Sequence, residues 1–357
     1  MPDRIAQFVR PEIRELNAYQ VGDANQLIKM DNMENPYPWN SAITEAWAKR
    51  LSATPVNRYP DAEARALQHV LRQTMDIPAH AGLLLGNGSD ELIQMVCLAL
   101  AKPGATLVAP APTFVMYKML ATFTQLNYRT VALNADFSLN TAAMLEEIEK
   151  TQAALVFLSY PNNPTGNLFD EQAICQIIEA TPGVVIIDEA YFAFAESSFT
   201  KYLARYENML IMRTVSKMGL AGLRLGYMLG APAWIAEFNK VRLPFNINTL
   251  TQTSAIFALE NKTMFDEQTA RICSDRDRLF EAMQKMESII CYPSKANFIL
   301  FKPKSGSGDA LFAAIKKAGI LIRNLGASDG ALANCLRVTI GTEQENSAFL
   351  KALQESV

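Results

Sequence analysis

Five short stretches carry side chains that could do chemistry together. Lys217 lies in Thr214-Val215-Ser216-Lys217, and Arg224 follows seven residues later in Ala221-Gly222-Leu223-Arg224-Leu225-Gly226-Tyr227. Upstream are Asn162-Asn163-Pro164-Thr165-Gly166, Asp188-Glu189-Ala190-Tyr191 and Gly86-Asn87-Gly88-Ser89-Asp90-Glu91. A lysine amine attacks an aldehyde only when deprotonated, and burial beside other cations favours that form. Ser216 and Arg224 supply a hydroxyl and a forked cation for a phosphate dianion. Asp188 ends the most apolar run in the chain, where α/β sheets place ligands. Its carboxylate suits a protonated ring nitrogen; a helix cap is the plainer alternative. Tyr191 and Asn163 suit a ring oxygen, though Asn-Pro also makes turns. A lysine for a Schiff base, an acid for a pyridinium nitrogen, partners for a ring oxygen, and a serine with an arginine for a phosphate read together as a pyridoxal phosphate site.

Other positions could extend that site. Residues 86–91 would offer free backbone N–H groups to a phosphate, or simply turn a strand into a helix. They match neither G-x-G-x-x-G nor a Walker loop, which disfavours a nicotinamide enzyme. Ser89 is expected to cap the following helix, with Asp90 and Glu91 at its positive end. Phe114, just past a strand, could stack on a ring or fill the core. Arg337 is embedded in the apolar run Cys335-Leu336-Arg337-Val338 and needs an anion, from a substrate or from a structural carboxylate. Arg323 in Leu321-Ile322-Arg323-Asn324 has the same character.

Elements that would position these residues alternate along the chain. Seven short apolar strands are expected at 83–85, 105–109, 128–133, 154–159, 184–187, 209–213 and 224–229. Several are apolar throughout, as in Val184-Val185-Ile186-Ile187, which implies a mainly parallel sheet buried on both faces. Helices are expected at 43–51, 62–74 and from 89, where Leu92, Ile93, Val96, Cys97 and Leu100 follow a helical period. The fold class is therefore α/β. The first 45 residues read as an irregular arm joining a smaller domain. Residues 46–255 form the large, cofactor-binding domain. Residues 256–357 form a compact α+β domain, entered by a long helical stretch, 248–286, broken near Asn261.

Composition narrows the chemistry further. The chain has 357 residues, half of them hydrophobic, and a formal net charge of -3. No basic block invites nucleic acid. Its two histidines, His69 and His80, lie away from every motif, which argues against histidine triads and histidine-rich metal sites. The five cysteines are scattered singly and read as reduced thiols of a cytosolic protein. No run of about 18 apolar residues marks a membrane span.

Taken in order, these motifs resemble the fold-type I pyridoxal phosphate aminotransferases, and within them the histidinol-phosphate aminotransferases. Asn32-Met33-Glu34-Asn35-Pro36, Arg58-Tyr59-Pro60, Gly88-Ser89-Asp90-Glu91, Asn163-Pro164-Thr165-Gly166, Asp188-Glu189-Ala190-Tyr191, Ser216-Lys217 and Leu336-Arg337 carry the resemblance. It implies that Lys217 is the catalytic amine and proton shuttle, Asp188 the partner of the pyridine nitrogen, and Asn163 and Tyr191 the partners of the ring oxygen. Ser89, Asp90, Ser216 and Arg224 would hold the phosphate, and Phe114 would stack on the ring. Tyr59 would reach the cofactor of a second subunit, implying a homodimer. Arg337 would bind the glutamate carboxylate and the substrate phosphate, with Arg323, Tyr19 and Asn35 assisting. The implied reaction moves an amino group between glutamate and imidazole-acetol phosphate. An aromatic amino acid aminotransferase and a threonine-phosphate decarboxylase share the scaffold. Two departures stand out: the Lys217–Arg224 spacing is one residue shorter than the common one, and Phe114 stands where tyrosine is frequent.

Overall fold

Wholly apolar runs become strands here because each is covered on both sides. In β-strands successive side chains alternate faces, so Leu155 and Phe157 enter one core while Val156 and Leu158 enter another. The computed structural model describes residues 4–18, 22–326 and 330–357. In chain order its strands are β1 (Ile28–Lys29), β2 (Gly82–Gly86), β3 (Thr106–Ala111), β4 (Asn127–Ala132), β5 (Leu155–Ser159), β6 (Val184–Asp188), β7 (Met209–Thr214), β8 (Gly226–Gly230), β9 (Ile289–Cys291), β10 (Phe298–Pro303), β11 (Ile320–Leu321), β12 (Arg323–Asn324) and β13 (Leu336–Thr339).

Seven of these form the large sheet, ordered β2-β8-β7-β6-β5-β3-β4. β8 runs against both of its neighbours, while every other pairing is parallel. This is the expected mainly parallel α/β sheet. Helices Ser89–Leu100, Val115–Thr124 and Pro232–Asn239 supply Val96, Tyr117, Leu120 and Phe238 to one face. Helices Arg65–Thr74, Thr141–Thr151, Glu171–Ala180 and Thr249–Glu260 supply Leu67, Ile148, Ile177 and Ala255 to the other.

A second, four-stranded antiparallel sheet is ordered β12-β13-β10-β9. Its core takes Ile272, Leu279, Ile315 and Phe349 from helices Lys262–Gln284, Gly308–Lys317 and Glu343–Ser356. The last of these opens with a capping box between Thr342 and Glu345. Met30, Met33, Tyr191 and Phe194 reach into the same core. β1 pairs in parallel with β11, so the N-terminal segment is tied to the C-terminal part.

Several expectations change in detail. Two short helices, Arg4–Phe8 and Pro11–Arg14, interrupt the N-terminal arm. The helix expected from residue 62 begins at Arg65. Ser89 is the first helical residue and makes no capping bond; Gly88, at φ 85°, takes the cap position. Arg224 does not begin a strand: it holds a left-handed conformation, φ 48°, and β8 starts at Gly226. The helix Thr249–Glu260 runs through the expected boundary at 255/256, and the break falls at Asn261. Two of the five free cysteines, Cys97 and Cys335, are buried, and three are half-buried.

Candidate active site

Strand ends deliver the site. Phe114 follows β3, Asn163 follows β5, Asp188 closes β6, and Ser216 and Lys217 follow β7. Ser89 follows β2 at the start of its helix, and Arg224 precedes β8. Parallel strands deliver their carboxyl ends to one edge, where open α/β sheets bind ligands. All seven of these residues, with Asp90 and Tyr191, border one cavity of about 110 Å³.

Lys217 is the cationic amine on that cavity's wall. Burial and the nearby Arg337 guanidinium lower its pKa from 10.5 to about 8. Its Nζ donates a hydrogen bond to the Asn32 carbonyl at 3.0 Å. The amine is therefore neutral far more often near neutral pH than a surface lysine is. Asp188 is its acidic counterpart. Burial raises its pKa to about 6, even though Tyr117 Oη donates to its Oδ2 at 2.6 Å and the Ala190 N–H to its Oδ1 at 3.0 Å. A fully buried carboxylate with that pKa is poised to meet a cation.

At the opposite wall Asn163 Nδ2 donates to Tyr191 Oη at 3.1 Å. Asn163 Oδ1 accepts from Arg337 Nη1 at 2.5 Å. Arg337 thus touches the cavity through Asn163, and its guanidinium lies 5.2 Å from the Phe298 ring centroid. Arg323 sits opposite Arg337 in the β12–β13 register, one strand farther out and half-buried.

The anion cradle lies between two loops. Arg224 Nη1 reaches Ser216 Oγ at 3.5 Å, and its Nη2 lies 3.8 Å from Asp90 Oδ2. Ser216 Oγ also accepts from Thr214 Oγ1 at 2.8 Å. A Cβ on Gly226 would stand 2.7 Å from the Ser89 nitrogen, so only glycine lets the two loops meet.

Two predicted residues, Asn35 and Tyr59, also stand off this cavity. Asn35 is engaged by the fold: its Nδ2 donates to Met218 O and Gln268 Oε1, and its Oδ1 accepts from the Tyr37 N–H. Both polar atoms of its side chain are thus partnered within the fold. Tyr59 is 81% exposed, stacked on Phe245 at 4.5 Å, and does not line this chain's cavity. Tyr19 lies outside the described residues. Conversely, the sequence reading missed Tyr117, Thr214, Ser159, Met33 and the Asn32 carbonyl. Tyr117 follows Phe114 by three residues and precedes Leu120 and Ala121, so it reads as part of an apolar helix face. Backbone carbonyls have no signature in the sequence.

A half-buried lysine and a buried acid sharing a cavity at the carboxyl edge of a mainly parallel sheet define a class of lysine-dependent α/β enzyme. The family model for aminotransferase class I and II matches residues 25–353, and the chain belongs to that family. It is 55% identical to histidinol-phosphate aminotransferase 2 of Nitrosococcus oceani, over 99% of this chain and 98% of that one. It is 47% identical to histidinol-phosphate aminotransferase of Chromobacterium violaceum, over 98% of each. Among solved structures, the histidinol-phosphate aminotransferase from Sinorhizobium meliloti in complex with pyridoxal-5'-phosphate shares the fold. The TM-score is 0.86 at 23% identity, covering 98% of this chain and 97% of that one. Among the described residues, no helix is long and apolar enough to cross a membrane.

Proposed function

We propose that this chain is a pyridoxal phosphate-dependent histidinol-phosphate aminotransferase. It would pass the amino group of L-glutamate to imidazole-acetol phosphate, giving 2-oxoglutarate and L-histidinol phosphate. The observation that carries the chemistry is Lys217, a half-buried amine with a depressed pKa, bordering the same cavity as buried Asp188. The substrate choice is supported by near-full-length identity of 55% to a relative of that name.

The residues present fit pyridoxal phosphate. Lys217 would anchor its aldehyde, Asp188 its ring nitrogen, and Asn163 and Tyr191 its ring oxygen. Ser89, Asp90, Ser216 and Arg224 would hold its phosphate, and Phe114 would cover its ring. When bound, the cofactor supplies an electron sink that makes the α-proton of an amino donor acidic. Lys217 Nζ takes that proton, a task suited to a base titrating near the working pH. Arg337 orients the donor by its carboxylate, and it holds the phosphate of the second substrate in the return half-reaction. Arg323, across the β12–β13 register, adds positive potential for that dianion. Desolvation around Lys217 keeps water from competing for the amine. The working form would be a homodimer in which exposed Tyr59 completes the partner's site.

The visible absorbance of the cofactor-loaded protein tests this reading. Adding L-histidinol phosphate without a keto acid should bleach the yellow band, and 2-oxoglutarate should restore it. A band that ignores L-histidinol phosphate yet bleaches with phenylalanine would refute the substrate. No band after adding pyridoxal phosphate would refute the cofactor.

A further inference from the structure

Residues 30–35 tie the two sheets together at the catalytic amine. Met30 bonds both ways with the smaller part: its N–H donates to Leu321 O at 2.8 Å, and its carbonyl accepts from Thr339 N at 2.9 Å. The next two carbonyls are taken by functional cations. Asp31 O accepts from Arg337 Nη2 at 3.1 Å, and Asn32 O accepts from Lys217 Nζ at 3.0 Å. The chain then turns sharply at Met33, whose φ is 56°. Left-handed backbone is costly for any residue with a Cβ, and Met has no short polar group to compensate locally. Such an outlier persists only where the surroundings over-determine it.

Two side chains do so. Thr339 Oγ1, on β13, accepts from the Met33 N–H at 2.9 Å, and Asn297 Nδ2 donates to the Met33 carbonyl at 3.0 Å. Both are buried. Neither lines the cavity that Lys217 borders. Beyond the turn, Asn35 returns the segment to the lysine loop through Met218 O.

We propose that Thr339 and Asn297 are positioning residues for Lys217 and Arg337. By clamping Met33 in its left-handed turn, they hold the Asn32 carbonyl on the amine and the Asp31 carbonyl on the guanidinium. The amine then has a fixed resting place whenever it is not covalently engaged, and the anion site and the amine are held by adjacent peptide groups. This assignment rests on Lys217 being the reacting amine, as read above, and not on the identity of the substrate.

The test compares Thr339→Val, which keeps the shape and loses the acceptor, with Thr339→Ser, which keeps the hydroxyl. The first readout is the pH midpoint for labelling Lys217 with trinitrobenzenesulfonate in the cofactor-stripped full chain, followed on the Lys217 peptide by mass spectrometry. The charged groups facing the amine are Arg337 on β13, Arg224 before β8, Asp90 on the helix after β2, and Glu34 on the segment itself. The Tyr191 ring lies 6.0 Å away. A carbonyl acceptor favours the ammonium form, so its displacement in Thr339→Val should lower the midpoint by about 0.5 pH units. Thr339→Ser should match the parent.

The second readout is the loaded enzyme. Thr339→Val should lose about tenfold in kcat with cofactor content unchanged, because misplacing a reacting group costs rate before binding. Thr339→Ser should restore it. If the valine variant does not fold, Asn297→Ala breaks the other half of the clamp and should move both readouts the same way. Equal losses in Val and Ser, or a lower Tm with the parent's midpoint and kcat, would overturn the assignment. Failure of L-histidinol phosphate to bleach the parent enzyme would sink the substrate reading alone, because the labelling comparison needs no substrate.

Discussion

At the residue scale, Asp188 and Lys217 are displaced in opposite directions, and both displacements disfavour the charged form. Asp188 has a folded-state pKa of about 6 against an ordinary 3.8. Between those values the folded chain keeps a proton that the unfolded chain has lost. Stability from this group is therefore full below pH 4, falls as pH rises to 6, and stays low above it. Asp188→Asn should stabilise the cofactor-free protein at pH 8 by up to about 3 kcal/mol, with the gain vanishing at pH 4. Thermal unfolding at the two pH values reads this, and equal Tm gains at both would refute it. Lys217 behaves in the opposite sense: its folded pKa of about 8 lies below 10.5, so stability rises with pH between them. Lys217→Ala should abolish transamination while leaving the fold intact, as read by turnover and circular dichroism. Near-normal turnover would end the mechanism. Both groups would gain on loading with pyridoxal phosphate, where Asp188 would meet a cation and Lys217 would hold the aldehyde.

At the scale of elements, the loop that carries Tyr191 is fixed by a buried ion pair. Arg213 on β7 meets Glu189, just past β6, at 2.8 Å, with side chains 7% and 0% exposed. The same guanidinium donates to Ser198 and Thr200 and lies over Phe192. Removing one partner leaves a buried charge without its counterion, so Arg213→Met should cost about 3–5 kcal/mol in urea unfolding. The Arg213→Met, Glu189→Met pair should recover much of it; a loss in the single variant below about 1 kcal/mol would show the pair does not anchor the loop. Elements such as β5 and β6 were legible in the sequence because unbroken Val, Ile and Leu runs have few other uses. Lys217, Asp188 and Asn163 were legible because residue type and a strand-end position coincide. What the sequence hid was made by long-range contact. The polar tip of Tyr117 meets Asp188 across 71 residues, and Asn35, read as a ligand contact, is spent on Met218 and Gln268. Arg224 was misread as strand because its left-handed turn depends on the loop at Gly88, which packs against its guanidinium.

At the scale of the whole molecule, the cavity holds every proposed cofactor contact except Tyr59. That residue is 81% exposed, and Val56 and Leu243 are each 71% exposed. Exposed apolar side chains in neighbouring stretches suit a partner surface. Refolding Lys217→Ala together with Tyr59→Ala should therefore return activity that neither variant has alone. Random pairing gives one intact site in half of the dimers, or about a quarter of the parent's rate. No recovery in the mixture, with both variants dimeric by light scattering, would refute a shared site. The clamp at Met33 has a consequence for how the molecule is made. Its Met33–Thr339 bond joins residues 306 positions apart, and β1 has no strand partner until β11 exists. Synthesis runs from the N-terminus, so the large sheet can close while the carbonyl that seats the catalytic amine still lacks its anchor. With that clamp, full seating of the Lys217 amine comes late, after the ribosome has made nearly the whole chain.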